Sequence, residues 1–229
     1  MKRLATLLFD QLFPPRCGFC GTPGSVVCAG CLDDLPHNHA SCELCARPLA
    51  VDGICGACQS KPPPFIRVVA PMLYAYPVDA AIRAFKFRYV EHRLPSLLHL
   101  LRRGVAELPD DIDAVVAMPM HWRRRVGRGF NQAALLAGPV ARDLELPLLD
   151  GVAKTRHTRP QSTLSGRDRR RNLVGAFACA RRIPFRHVLI VDDVFTSGQS
   201  ARHLAHALRA AGAQSVSVLV LARARQVRV

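Results

Sequence analysis

Beyond residue 61 the apolar residues alternate between two patterns, short unbroken runs and longer stretches with an apolar position every three or four residues. The runs "IRVVAPMLYAY", "IDAVVAMPM", "RHVLIVDD" and "QSVSVLVLAR" are too short for helices, and the last three predict strands buried on both faces of a parallel sheet. The first predicts a strand pair or one bent strand. Between them, "VDAAIRAFKF", "LPSLLHLLRRGVAEL", "NQAALLAGPVARDL" and "QSARHLAHALRAAG" predict helices. In the last of these Ala201, Leu204, Ala205, Leu208 and Ala211 share one face before Gly212 ends the element. Pro139 falls inside the third and predicts a kink. Strands alternating with helices make an α/β domain.

The first 60 residues read differently. Leu4, Leu7, Leu8 and Leu12 lie on one face of a short amphipathic helix, but Asp10 and Gln11 interrupt the apolar stretch and no small-residue cleavage site follows, unlike a secretion signal. No other segment approaches the length that spans a bilayer, so no membrane insertion is expected and the expected location is the cytoplasm. "KPPPF", residues 61–65, is a proline-rich linker. The expected division is residues 1–60 and residues 61–229.

Charge sharpens this division. The formal net charge is +15, and residues 61–229 hold 28 basic and 12 acidic side chains against four and five in residues 1–60. A positive field on the larger part favours phosphorylated ligands or nucleic acid. Arginine supplies 28 of the 32 basic residues, however, and a GC-rich genome would produce the same bias.

Eight of the nine cysteines form C-x-x-C pairs: Cys17 and Cys20, Cys28 and Cys31, Cys42 and Cys45, Cys55 and Cys58. A two-residue gap lets both thiolates of a knuckle face one metal, and two knuckles complete a tetrahedral Zn²⁺ site. Two structural zinc ions are expected, the first two pairs sharing one and the last two the other, or cross-braced. Four thiolates leave no open position for catalysis. With so few aliphatic residues, the segment draws its folding energy from metal binding. Eight thiolates against two Zn²⁺ bring the holo chain nearer +11 and make the metal module acidic. Cys179 stands apart and reads as a small buried residue.

The densest chemistry is "VLIVDDVFTSGQS", residues 188–200. Four apolar residues predict a strand with Asp192 and Asp193 at its carboxyl end, followed by Thr196, Ser197, Gly198, Gln199 and Ser200 at the start of a helix. Ligands of open α/β sheets bind outside the carboxyl ends of strands, where a helix amino terminus offers free N–H groups to an anion. The hydroxyls add donors, and Gly198 lets the backbone approach closely. Carboxylates repel phosphate but accept hydrogen bonds from vicinal sugar hydroxyls and hold Mg²⁺ through water. The ligand expected is a ribose 5-phosphate unit.

A second anion site is expected after "IDAVVAMPM", where "HWRRRVGRGFNQ" leads into a helix. Gly127 and Gly129 allow tight bending, and Arg128, Asn131 and Gln132 are donors suited to a diphosphate. The bland reading of Arg123, Arg124 and Arg125 is a solvated basic turn. Residues 154–171 carry seven basic side chains and one acid, with almost nothing apolar, and predict a mobile polar loop holding Arg156, Arg159 and Gln161. It reads either as a lid or as a disordered insertion. Lys86, in "FKF", contacts phosphate or packs with a snorkelled amine.

The acid-rich motif resembles the PRPP (5-phosphoribosyl 1-diphosphate) motif of type I phosphoribosyltransferases. Taken with the Cys pairs, "FKF", "RRRVGRGFNQA" and "TRHTRPQSTLSGRDRRRNLVGAF", nearly the full length is similar to the ComF/GntX family of phosphoribosyltransferase-like proteins. Ser197 stands where phosphoribosyltransferases often have Thr, and Gln199 where a smaller residue is usual. The resemblance implies a five-stranded parallel core with helices on both faces, joined to an N-terminal double zinc ribbon. It further implies PRPP or another ribose phosphate bound with Mg²⁺, with Asp192 and Asp193 on the ribose. Thr196 to Ser200 then hold the 5-phosphate, Arg128 and Asn131 lie near the diphosphate, and Arg156, Arg159 and Gln161 close over the site. A role in natural competence is implied, with single-stranded DNA and a competence-machinery protein as partners. The alternative within that resemblance is a non-catalytic PRPP sensor or nucleic-acid-binding adaptor whose zinc module holds a partner.

Overall fold

The computed structural model of the chain describes residues 14–88, 93–121, 126, 129–155 and 176–225. The amphipathic helix expected before residue 13 lies outside them, as do Arg128, Arg156, Arg159 and Gln161.

In chain order the elements are α1 (Ala29–Asp34), α2 (Gly56–Ser60), β1 (Arg67–Val69), β2 (Met72–Leu73), α3 (Val78–Arg88), α4 (Leu94–Arg102), β3 (Ala114–Ala117), α5 (Gln132–Asp143), β4 (Val152–Lys154), β5 (Phe177–Cys179), β6 (His187–Phe195), α6 (Gln199–Ala210) and β7 (Ser215–Arg223). A 3₁₀ turn spans Val105–Glu107. The main sheet runs β1, β7, β6, β3, and β2 also pairs with β7; every pairing is parallel. β1 and β2 are successive pieces of one bent edge strand, with Val69 opposite Leu219 and Met72 opposite Ala222. The five strands therefore fill four positions across the sheet.

β6 and β7 are central, and their residues alternate between two apolar layers. Val188, Ile190, Val216, Val218 and Val220 pack on Leu204, Ala205 and Leu208 of α6. Leu189, Val191, Leu219 and Leu221 pack on Ile82 and Phe85 of α3, Leu97, Leu100 and Leu101 of α4, and Leu136 and Val140 of α5. Helices thus cover both faces, and each fully buried leucine contributes about 2 kcal/mol of apolar transfer. β4 and β5 form a separate antiparallel pair, with Lys154 opposite Phe177.

The cysteine-rich segment is built onto this core. Val27 and Leu35 join one apolar layer and Ala46 the other. Ser96 Oγ of α4 donates to the Val26 carbonyl at 2.7 Å, and a Cβ at Gly18 would overlap that hydroxyl. Around the second ribbon, among the described residues, only Leu44 and Leu49 pack against the cysteines, in keeping with folding driven by metal.

At the amino-terminal end of the sheet, His187 Nδ1 lies 2.8 Å from Asp111 Oδ1 and His187 Nε2 lies 2.9 Å from Ser217 Oγ. The order of groups is that of a hydrolase triad. Ser217 has no solvent exposure, so the trio ties three segments together and admits no substrate.

Candidate functional site

The strand carrying the acids does not stop at Val191. It runs on to Phe195, with Asp192 opposite Val220 and Phe195 opposite Arg223 in β7. Both acids thus lie near the carboxyl end of the strand, as the sequence leads one to expect; the apolar run ends at residue 191, and backbone pairing with β7 extends the strand four residues past it. Adjacent strand positions face opposite sides. Asp193 is directed toward α3, where Lys86 Nζ lies 2.9 Å from its Oδ2. Asp192 Oδ1 accepts from the Asp193 N–H at 2.8 Å. Burial, and next the Asp193 carboxylate, push the Asp192 carboxyl up to about 7, against the pull of Lys86 and Lys154.

The turn after β6 rests on Phe195. Its ring meets Phe65 edge-on, with centroids 6.0 Å apart, and the Arg223 guanidinium lies 5.3 Å from its centroid. Gly198 covers the same ring at φ 72°, and a Cβ there would come within 2.6 Å of Phe195. Both the left-handed backbone and the close approach require glycine. Gly198 gives α6 no side-chain cap, so the helix starts with its amino end open. Thr196 and Ser197 are exposed beside it, and Gln199 and Ser200 are half-buried.

Asp192, Asp193 and Ser200 line a cleft of about 170 Å³. Asn131, His121, Lys86 and Lys154 also line it. Asn131 caps α5: its Oδ1 accepts from the Ala133 N–H at 3.2 Å and its Nδ2 donates to the Met118 carbonyl at 3.1 Å. Its side chain therefore fixes the end of β3 to the start of α5. Two residues emerge that the sequence pattern had not marked. Lys154, assigned by composition to a mobile loop, ends β4 and stands 5.5 Å from the Phe177 ring centroid. His121 lies four residues past the end of β3 and is buried. For His121 the signal was its nearness to the carboxyl end of the strand predicted at 112–120; for Lys154 the sequence carried none. A larger groove of about 740 Å³, lined by Cys179, Arg181, Arg182 and Arg209, lies at the carboxyl end of α6 and contains no carboxylate. Cys179 is half-buried there, and its Sγ contacts the Ala207 carbonyl at 3.7 Å.

The cysteines pair sequentially. Sulfurs of Cys17, Cys20, Cys28 and Cys31 lie within 4.8 Å of one another, and so do those of Cys42, Cys45, Cys55 and Cys58. Cys20 to Cys28 is 3.6 Å and Cys45 to Cys55 is 3.7 Å. A tetrahedron with Zn–S bonds of about 2.3 Å has edges of about 3.8 Å, so both clusters fit zinc. The Cys28 N–H donates to Cys17 Sγ at 3.5 Å and the Cys55 N–H to Cys42 Sγ at 3.3 Å, equivalent bonds in the two ribbons. Against burial, backbone hydrogen bonds at Cys20, Cys28 and Phe19 bring the Cys17 thiol down to about 6, which favours the thiolate a metal needs.

Comparison with known proteins agrees with both halves of this architecture. The double zinc ribbon domain matches residues 8–59 and the phosphoribosyl transferase domain matches residues 131–229. The DNA utilization protein YhgH of Escherichia coli is 34% identical over 224 residues, covering 92% of this chain and 97% of that protein. Competence protein F of Haemophilus influenzae is 33% identical over 211 residues, covering 86% and 90%. Competence protein ComFC of Bacillus subtilis is 26% identical over 244 residues, covering 97% and 96%. A parallel sheet carrying the two acids, two Cys₄ clusters and relatives matched over almost their whole length converge on one conclusion: the chain belongs to the ComF/GntX family of phosphoribosyltransferase-like proteins.

Proposed function

We propose that the cleft beside Asp192 and Asp193 binds PRPP with Mg²⁺, and that the protein works with single-stranded DNA during DNA uptake, in the cytoplasm. The observation that carries the ligand reading is one of convergence. Residues 118–121 and Asn131 flank the first basic segment, and Lys154 and Phe177 flank the second, and all of them line the cleft that holds the two acids. The Thr155 N–H donates to the Ala176 carbonyl at 2.9 Å, which brings the two ends of the second segment together at that rim. The names of the relatives support the link to DNA.

In this reading residues 1–60 form a zinc module that carries a competence-machinery partner, and residues 61–229 form the ligand domain. Asp192 and Asp193 accept hydrogen bonds from the ribose hydroxyls. Thr196, Ser197, Gly198, Gln199 and Ser200 hold the 5-phosphate at the open end of α6. Arg128 lies near the diphosphate, with Asn131 shaping the loop that presents it. Arg156, Arg159 and Gln161 close over the bound ligand and exclude water. Asp192 and Asp193 would hold Mg²⁺, which would supply charge stabilisation to the leaving diphosphate. Transfer breaks the bond from ribose C1 to diphosphate and forms one from C1 to an incoming nucleophile. No covalent enzyme intermediate is required, and catalysis rests on position and charge.

The test is equilibrium binding of labelled PRPP with Mg²⁺, followed by incubation with a nucleobase panel and measurement of diphosphate release. Saturable binding with release assigns a transferase, and binding without release assigns a PRPP sensor. Absence of PRPP binding, together with salt-sensitive binding of single-stranded DNA, would leave the adaptor reading.

A further inference from the structure

Arg223 ends β7 and is 2% exposed, and among the described residues its guanidinium donates to four backbone carbonyls. Nε donates to Cys45 at 2.8 Å, and Nη1 donates to Phe195 at 2.9 Å, to Thr196 at 2.7 Å and to Ala224. Among the described residues no carboxylate pairs with it. A buried cation without a counterion is costly. Four thiolates around Zn²⁺ carry a net charge of −2, and Cys45 belongs to such a cluster. Loaded with Zn²⁺, the second site would be the counterion of Arg223, whose Nε already donates to the Cys45 carbonyl.

The guanidinium thus joins two structures that sequence keeps far apart. On one side is the knuckle of Cys42 and Cys45, closed by the Ala46 N–H on the Cys42 carbonyl at 2.7 Å, with Ala46 held at φ 52°. On the other side are the last residue of β6 and the first of the phosphate loop, together with the Phe195 ring that underlies Gly198. The first zinc site has a different neighbour: its contacts run from Gly18 and Val26 to Arg93 and Ser96 at the start of α4.

We propose that Arg223 is a positioning residue coupling the second zinc site to the ribose-phosphate loop, so that tight binding of a phosphorylated ribose depends on metal at Cys42, Cys45, Cys55 and Cys58 and not on metal at the first site. The effect on affinity rests on the PRPP reading above; the coupling itself concerns the loop. Metal loss frees the knuckle, which withdraws both the Cys45 carbonyl and the negative charge. Arg223 then loses its anchor, and the carbonyls of Phe195 and Thr196 lose theirs.

The test uses the full zinc-loaded chain and variants C58S, C31S and R223M. Three quantities are read: zinc content, hydrogen exchange at residues 195–200, and Mg²⁺–PRPP affinity by calorimetry. C58S and C31S each lose one zinc. C58S is expected to speed exchange at 195–200 and weaken PRPP by about tenfold, the scale of one charge-assisted contact, whereas C31S leaves both within about twofold of wild type. R223M is expected to reproduce C58S while keeping both zinc ions. Equal effects of C58S and C31S, or unchanged loop exchange in both C58S and R223M, would overturn the coupling. Should wild type bind no PRPP, the ribose-phosphate reading fails by itself, and the exchange comparison of C58S with C31S still decides whether the second site holds the loop. A variant that does not fold is replaced by selective exchange of the same site's metal.

Discussion

Lys86 of α3 and Asp193 of β6 form an ion pair of 2.9 Å at the edge of the cleft, with side chains only 23% and 11% exposed. Lys86 therefore does more than pack its stem: it balances one of two adjacent carboxylates that would otherwise repel each other. Replacing it with Met leaves Asp193 buried and unpaired, at an expected cost of about 3 kcal/mol in unfolding free energy. Denaturant melts of K86M, D193N and the double variant check this, with the double variant expected to recover most of the loss.

Asp192 gives the site a pH dependence. Its carboxyl is raised from the ordinary 3.8 to about 7 by burial and by Asp193. Between these values the folded chain holds a proton that the unfolded chain has lost. Stability from this group therefore falls as pH rises, by up to about 1.4 kcal/mol per unit, and levels off above 7. In the proposed site, binding of Mg²⁺ and a ribose would require the ionised form, so affinity should climb from pH 6 to about 7 with release of a proton. Calorimetry in buffers of different ionisation enthalpy measures that proton, and D192N is expected to release less.

The layers and the acid motif were legible in the sequence because periodicity and composition are local. Val188, Ile190, Leu204 and Leu208 advertise a buried strand and the helix that covers it. The Cys spacing likewise fixed the ligands, though not the sequential pairing, which the folded knuckles decide. What remained hidden were contacts between distant segments. Arg223 and Cys45 are 178 residues apart, and an arginine closing an apolar strand reads as an ordinary strand end. Lys154 was lost in a run of charges for a related reason: its place in β4 depends on pairing with Phe177.

The metal sites are expected to stabilise more than their own segment. Val27, Leu35 and Ala46 fill gaps in the two layers of the α/β core. Native mass spectrometry should find two Zn²⁺ per chain, and stripping them should lower the melting temperature of the whole cooperative unit. A core that melts at the same temperature after chelation would show that the ribbons are merely appended.

Gly198 is expected to tolerate no side chain. At φ 72°, with a Cβ 2.6 Å from the Phe195 ring, G198A should cost about 1–2 kcal/mol and shift the loop. Thermal melts measure the first effect, and PRPP titration the second.

In the proposed site Asp192 and Asp193 face a sugar, so replacing them should affect a ribose phosphate and a DNA backbone differently. Each lost hydrogen bond to a charged group costs about 1.5–3 kcal/mol, so D192N/D193N should weaken Mg²⁺–PRPP binding by about tenfold or more. Affinity for single-stranded DNA should hold or rise slightly, and should fall steeply with salt in both proteins. Calorimetry of both proteins with PRPP, beside DNA titrations at two salt concentrations, reads this directly. Wild-type binding of PRPP that the double variant loses is the predicted result; a double variant that binds PRPP as tightly as wild type would contradict the ribose site.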